Sequence, residues 1–439
     1  MKKFILIVLL LQIFVSLHAQ VQINSLKDLL SYADSHSISI KTSLIQQNIS
    51  KSEARASKSY LYPNVNASGG FNDNLTIQKT LVPEQLFDAS APADSYKAFQ
   101  FGRQYNYLAG VQAQWNILDF QKMFASKTAH LQNKSDLAQT QVTRYNTYNQ
   151  LASDYYSIVM SQYALDIYRK DLITTQTMLA SSNLQFQKGI ISESDNNEVA
   201  IQNLKNQKNV NAAEQNLAQA YSQLQIDLNT TEPVHVENKD VRQNNSSNIL
   251  DTSLWITHPD ITLQEAQVAL AQSALKENKA LLYPSLSINY QYNYNWVMSK
   301  PVDFSSANKL PQQFVGLKLN IPIFSGFSNK EKIKQSQMVL QQQQFKLQDT
   351  KISEAKQDEI MIIQYNQSKD ELEKNKSILT LQERNDFHTA NQYKAGLLSL
   401  YNRMDRYKDL LSAQNDFLQS LSDYTLAQYK IYIRNLNYK

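Results

Sequence analysis

Six histidines and a scatter of carboxylates are the residues best suited to chemistry, and their spacing is wrong for it. His18, His36, His130, His235, His258 and His388 contain no pair at the spacing of a metal-binding helix. The chain has no cysteine, which removes thiolate ligands, thiol nucleophiles and disulfides. Its eight methionines are dispersed, and no glycine-rich phosphate loop occurs. These features point away from an enzyme, a metal site or a bound cofactor. Two short turns say more: "FQKGIIS" from Phe186 and "YKAGLLS" from Tyr393. Gly189 and Gly396 each stand where a long helix would end in a left-handed residue, which glycine adopts without strain. Ser192 and Ser399 follow three residues later, placed to cap the next helix. Asp195 and Asn402 lie three beyond each serine, and Ser192 with Asp195 makes a capping-box pattern. This is the chemistry of chain reversal.

Such turns need long helices on both sides. Glycine and proline are scarce, at eight and nine. No glycine separates Gly110 from Gly189, or Gly326 from Gly396. Leu151, Ile158, Leu165, Leu172, Leu179 and Phe186 recur every seven residues, the mark of a coiled-coil seam. Val210, Leu217 and Leu224 repeat that spacing, as do Leu410, Phe417, Tyr424 and Ile431. A helix from Ala125 to Gln187 would be roughly 95 Å long.

The pattern occurs twice. "YLYPNVNASGGF" from Tyr60 matches "LLYPSLSINYQY" from Leu281, and "AGVQAQWNILDF" from Ala109 matches "VGLKLNIPIFSGF" from Val315. Each copy reads as helix, strand, loop, strand, long helix, tight turn, helix. We divide the chain into a signal peptide at 1–19, a first repeat at 20–228, a polar linker at 229–248 and a second repeat at 249–439. The first segment runs from "MKK" through an apolar stretch to a small residue at Ala19, which reads as a secretory signal with no cysteine after it for lipid attachment. Without Lys2 and Lys3 the formal charge of +4 falls to +2, no footprint for nucleic acid.

The strands pose the main question. In "SLSINYQYNYNW" (Ser285 to Trp296), Leu286, Ile288, Tyr290, Tyr292, Tyr294 and Trp296 fall on one face, and serine, asparagine and glutamine on the other. Val65, Ala67, Gly69 and Phe71 alternate similarly, as do Tyr105 to Ile117 with Leu108 as the exception, and Val315 to Ile323. The helix expected ahead of the first strand runs from Leu26 to about Ser59. The loops between paired strands hold four of the nine prolines, as exposed tips would. No run after the signal approaches ~18 apolar residues, so a membrane role must come from strands. Four strands are too few for a spanning barrel, which starts at about eight, and an open edge in lipid is prohibited. The strands therefore cover a soluble core or are pooled between chains. A secreted or periplasmic coiled-coil protein of structural or adhesive function is the alternative to a membrane duct.

In the order of these motifs the chain resembles the TolC family of bacterial outer-membrane efflux and secretion ducts. Each motif is weak alone; their ordered repetition spans the mature chain. The resemblance implies a fold that is mainly α with membrane β. Coiled-coil helices would form a periplasmic tube, and four strands per chain would pool into a trimeric twelve-stranded barrel. It implies a passive duct working with a periplasmic adaptor protein and an inner-membrane transporter, the barrel in contact with outer-membrane lipid. The hairpin turns at Gly189, Ser192, Gly396 and Ser399 would then form the periplasmic tip where the adaptor docks. By position, Asp195 and Tyr393 correspond to residues of the family's closing network, and Asn402 and Asp405 to two acids ringing the narrowest point. The sequence departs from the family's pattern at Asn402, which replaces one of those acids, and at Leu398, which replaces an arginine.

Overall fold

The computed structural model describes residues 21–237, 257–436 and 438. The signal-peptide segment and most of the expected linker lie outside these residues. In chain order the elements are β1 (Val21–Ile23), α1 (Leu26–His36), α2 (Ile38–Ala56), β2 (Asn64–Asp73), β3 (Lys79–Pro83), β4 (Tyr96–Gln100) and β5 (Tyr105–Leu118). Then come α3 (Phe120–Gln187), α4 (Glu193–Leu228), β6 (Val234–Val236), α5 (Pro259–Lys279), β7 (Ser285–Met298), β8 (Asn308–Asn320), α6 (Ser328–Lys394) and α7 (Leu400–Arg434). The chain forms two compact units, each drawing on both repeats.

Among the described residues the helical unit comprises 21–48, 134–237, 257–266, 345–436 and 438. Its main core joins Leu29 and Leu30 of α1, Leu151, Tyr155 and Ile158 of α3, Leu224 and Leu228 of α4, and Ile433 of α7. The heptad seam accounts for this packing up to a point. Leu151, Ile158 and Leu165 are buried, and Leu172 and Leu179 pack against smaller clusters. Phe186 is exposed, one residue before the helix ends. Val234 and Val236, in a stretch whose composition reads as a polar connector, instead form β6. This strand pairs in parallel with β1, opposite Val21 and Ile23, and both valines enter the core. Two alternating valines give too short a pattern to stand out from polar neighbours.

The single helix expected from Leu26 to about Ser59 is two helices parted at Ser37, whose ψ of 125° leaves the helical range. The Ser35 hydroxyl donates to the Tyr32 carbonyl at 3.0 Å, and the His36 ring stacks on Tyr32. Such local side-chain bonding competes with helical continuation.

The sheet unit comprises residues 49–133 and 267–344. Its four-stranded antiparallel sheet has the order β2-β5-β7-β8, which leaves β2 and β8 as edges. Both repeats enter the sheet alike: a helix tightens to a 3-10 turn, at Ser57–Leu61 or Ala280–Leu282, and stops just before Pro63 or Pro284. A residue before proline is pushed to extended backbone, which starts the strand. Two loop expectations change. The loop after β2 carries its own hairpin of β3 and β4, and Pro83 ends β3. Pro311 stands within β8, where an edge strand tolerates a residue with no N–H.

Candidate functional site

Both turns close as their residues dictate. Gly189 has φ 69° and Gly396 φ 74°, and open space surrounds the place of a Cβ at each, so backbone conformation alone selects glycine. Ile190 N–H donates to the Gln185 carbonyl, and Leu397 N–H to that of Gln392, both at 2.9 Å. The Ser192 hydroxyl accepts from Asp195 N–H at 3.1 Å, while the Asp195 carboxylate accepts from Ser192 N–H at 3.2 Å, completing the capping box. Ser399 caps α7 by accepting from Asn402 N–H at 3.3 Å.

The two hairpins meet beside these turns. Val199, Leu400 and Met404 are buried together, with Met178, Leu179 and Tyr393 packed around them. The Tyr393 hydroxyl donates to Gln185 Oε1 at 3.0 Å, and Lys408 pairs with Glu198. Tyr393 thus bonds the first hairpin through Gln185, while the bonds described for Asp195 stay within its own turn. Asn402 and Asp405 are exposed. The neighbouring arginines are engaged elsewhere: Arg403 is buried against Asp386, and Arg406 reaches Asp409 at 3.3 Å. Asp405 therefore presents an unpaired carboxylate among the described residues.

Sequence reading missed the polar groups buried between helices. Asp171 is buried in α3 and accepts from the Gln414 amide at 3.3 Å. Burial pushes its carboxyl up to about 6. The Asp171 carbonyl accepts from the Tyr407 hydroxyl at 3.1 Å and from the Asn206 amide at 3.2 Å. His258, Asp260 and Glu354 bring three donor atoms within 4.8 Å of one another. The His258 ring nitrogens are already engaged: Nδ1 accepts from Asp260 N–H at 3.2 Å, and Nε2 meets Glu354 at 3.2 Å. The group clasps the start of α5 to α6. No local spacing could reveal these contacts, since each joins separate helices.

The sheet has two unlike faces, and register aligns them across all four strands. Val65, Ala113, Tyr290 and Val315 form one rung of the apolar face; Ala67, Val111, Tyr292 and Gln313 form the next. That face is bare, with Val315 72% and Leu317 73% exposed. The opposite face runs Asn64, Gln114, Asn289 and Gly316 in one rung and Asn66, Gln112, Gln291 and Phe314 in the next. An exposed apolar face of this extent marks a surface that meets another protein or lipid. Among the described residues no helix is long and apolar enough to cross a membrane.

The model of the outer membrane efflux protein family matches residues 29–229 and 253–436. The chain belongs to that family. Membership places it in the outer membrane and makes it a passive channel rather than an enzyme. The fold agrees with solved structures of bacterial outer-membrane proteins. The Campylobacter jejuni CmeC outer membrane channel superposes with a TM-score of 0.76 at 13% identity, covering 93% of this chain and 85% of that one. The open state of the Neisseria gonorrhoeae MtrE outer membrane channel gives 0.75 at 14% identity, covering 93% and 88%. VceC, an outer membrane protein of Vibrio cholerae, gives 0.69 at 14% identity, covering 93% and 94%. No curated protein sequence matches the chain.

Proposed function

We propose that three copies of this efflux protein pool their sheets into one twelve-stranded barrel, with β8 of one copy pairing β2 of the next. The sheet's two open edges carry this reading, β2 with ten residues and β8 with thirteen. Unpaired backbone groups in lipid cost several kcal/mol each, so a membrane-embedded sheet must close. Two copies would supply eight strands, whose interior side chains alone fill the lumen. Three copies leave an aqueous passage. The apolar face then meets lipid and the amide face lines water, as in known barrels.

The long helices continue this passage across the periplasm as a tube. Their hairpin turns form its tip, where a periplasmic adaptor docks and links the duct to an inner-membrane transporter, in a tripartite efflux or type I secretion system. The gate lies at that tip: Tyr393 bonded to Gln185 holds the hairpins together, the Asp195 cap fixes the turn, and Asn402 and Asp405 face the axis. Native mass spectrometry of the protein extracted from outer membranes tests the assembly. A trimer that dissociates only on heating is expected; a monomer or dimer overturns the reading.

A further inference from the structure

The amide face is nearly free of charge, and the exception has a definite place. Its rungs are built from neutral side chains, among them Asn66, Gln112 and Gln291 in one rung and Asn64, Gln114 and Asn289 in another. Lys318 of β8 lies opposite Ser287 of β7, which in turn lies opposite Asn116 of β5, so it belongs to this face. Lys309, the other lysine of β8, lies opposite Trp296 and belongs to the apolar face. Among the described residues Lys318 is the one charged side chain on the amide face of the four strands, it is exposed, and no carboxylate pairs with it. It stands one rung from the end where β7 and β8 join the helices. At that same end Lys122 borders a cavity of about 280 Å³ whose other walls include Asn64, Asn66 and Gln114. The Asp119 carboxylate, which accepts from Lys122 N–H at 3.0 Å, offsets that lysine, so Lys318 is the charge left uncompensated at the helical end of the wall.

We infer that Lys318 biases the barrel wall toward anionic groups, so that anionic groups passing along the wall are favoured there and cationic ones disfavoured. The inference rests on the amide face being the lumen wall. An exposed charge acts over about 8–10 Å at ordinary ionic strength. Lys318 therefore does not fill a wide lumen with its field; it acts on groups that approach the wall. Amides hydrogen-bond to anions and neutral solutes without holding them, which suits passage, and the lysine supplies the sign.

The native sequence has no cysteine, so one introduced thiol reports alone. Asn289 lies opposite Gly316, two residues from Lys318 on the neighbouring strand, a diagonal separation of about 7–8 Å. Full-length Asn289→Cys protein in outer-membrane vesicles would be labelled with an anionic sulfonate and a cationic trimethylammonium methanethiosulfonate of matched size. The ratio of anionic to cationic labelling rates should fall about threefold when Lys318→Gln is added. Lys318→Glu should lower it further, and 1 M salt should abolish the difference. Asn116→Cys, two strands away on the same rung, provides a second reporter and should shift in the same direction if the first variant fails to assemble. Labelling at a ratio indifferent to Lys318, Gln or Glu overturns the inference while leaving the lumen intact. Failure of both reagents to label either cysteine in assembled protein overturns the lumen reading, and the inference with it.

Discussion

Gly110 of β5 lies directly beneath the side chain of Asn293 on β7. A Cβ at Gly110 would overlap Asn293 Oδ1 and stand 3.0 Å from the Tyr292 carbonyl. Gly316, its counterpart in the second repeat, has open space around it. Gly110→Ala should therefore destabilise the sheet by about 1–3 kcal/mol, the usual range for overpacking, while Gly316→Ala should be neutral. The dissociation temperature of the purified oligomer measures both. Equal effects would mean that the crowding at Gly110 is relieved by rotation of Asn293.

The two faces give a second test. Tyr292→Arg places a charge on the bare apolar face and should cost ~2–4 kcal/mol near the membrane midplane. Gln291→Arg, one residue away on the amide face, should be tolerated. Yield of assembled oligomer in outer membranes is the readout, and equal loss from both would refute the facing.

Asp171 makes stability depend on pH. Its buried carboxyl keeps a proton up to about pH 6, whereas an unfolded aspartate releases its own near ~3.9. The folded state binds more protons between these values, so stability falls as pH rises through them and stays lower above. Asp171→Asn removes the titration while keeping the side chain's size. It should stabilise the helical unit by roughly 1–3 kcal/mol at neutral pH, with the gain vanishing below about pH 4. Denaturant midpoints at several pH values decide it; a gain of constant size would place the effect elsewhere.

At the first turn, capping and gating separate experimentally. Ser192→Ala removes an N-cap and should cost about 1 kcal/mol, seen as faster amide exchange over the first turn of α4. Tyr393→Phe deletes the hydroxyl that donates to Gln185 but leaves both caps intact. It should raise single-channel conductance without changing that exchange. If conductance stays unchanged, the Tyr393–Gln185 bond does not hold the tip closed.

Asp405 is the carboxylate that Arg403 and Arg406 leave free. Three copies gathered around a channel axis would concentrate multivalent cations. Asp405→Ala should weaken block by such ions added at the tip side about tenfold, and Asn402→Asp should strengthen it. Block that ignores both substitutions would show that these residues do not ring the passage.

How much of this was legible depends on the range of each signal. The facing of Tyr290 and Asn289 was legible because strand alternation is local, and the caps at Ser192 and Ser399 because a turn is a matter of a few neighbours. The heptad from Leu151 carried into buried contacts as far as a partner helix covers it, and Phe186 lies past that limit. The clasp of His258 on Glu354, the burial of Asp171 against Gln414 and the partner of Tyr393 were not legible. Each depends on which helices become neighbours, and a seven-residue period names a contacting stripe without naming its partner.

The parallel pairing of β1 with β6 bears on the order in which the molecule folds. Val21 opens the described chain, and Val234 comes only after the whole first repeat has passed. Joining segments so distant closes a very large loop, and that loss of chain entropy must be met before the contact returns anything. The strand pair is thus suited to form late, once α1, α3 and α4 have gathered the core that receives Ile23 and Val236. Until then β1 stays unclasped, open to the chaperones and proteases around it. The arrival of β6, beyond the first repeat, is what withdraws it from them.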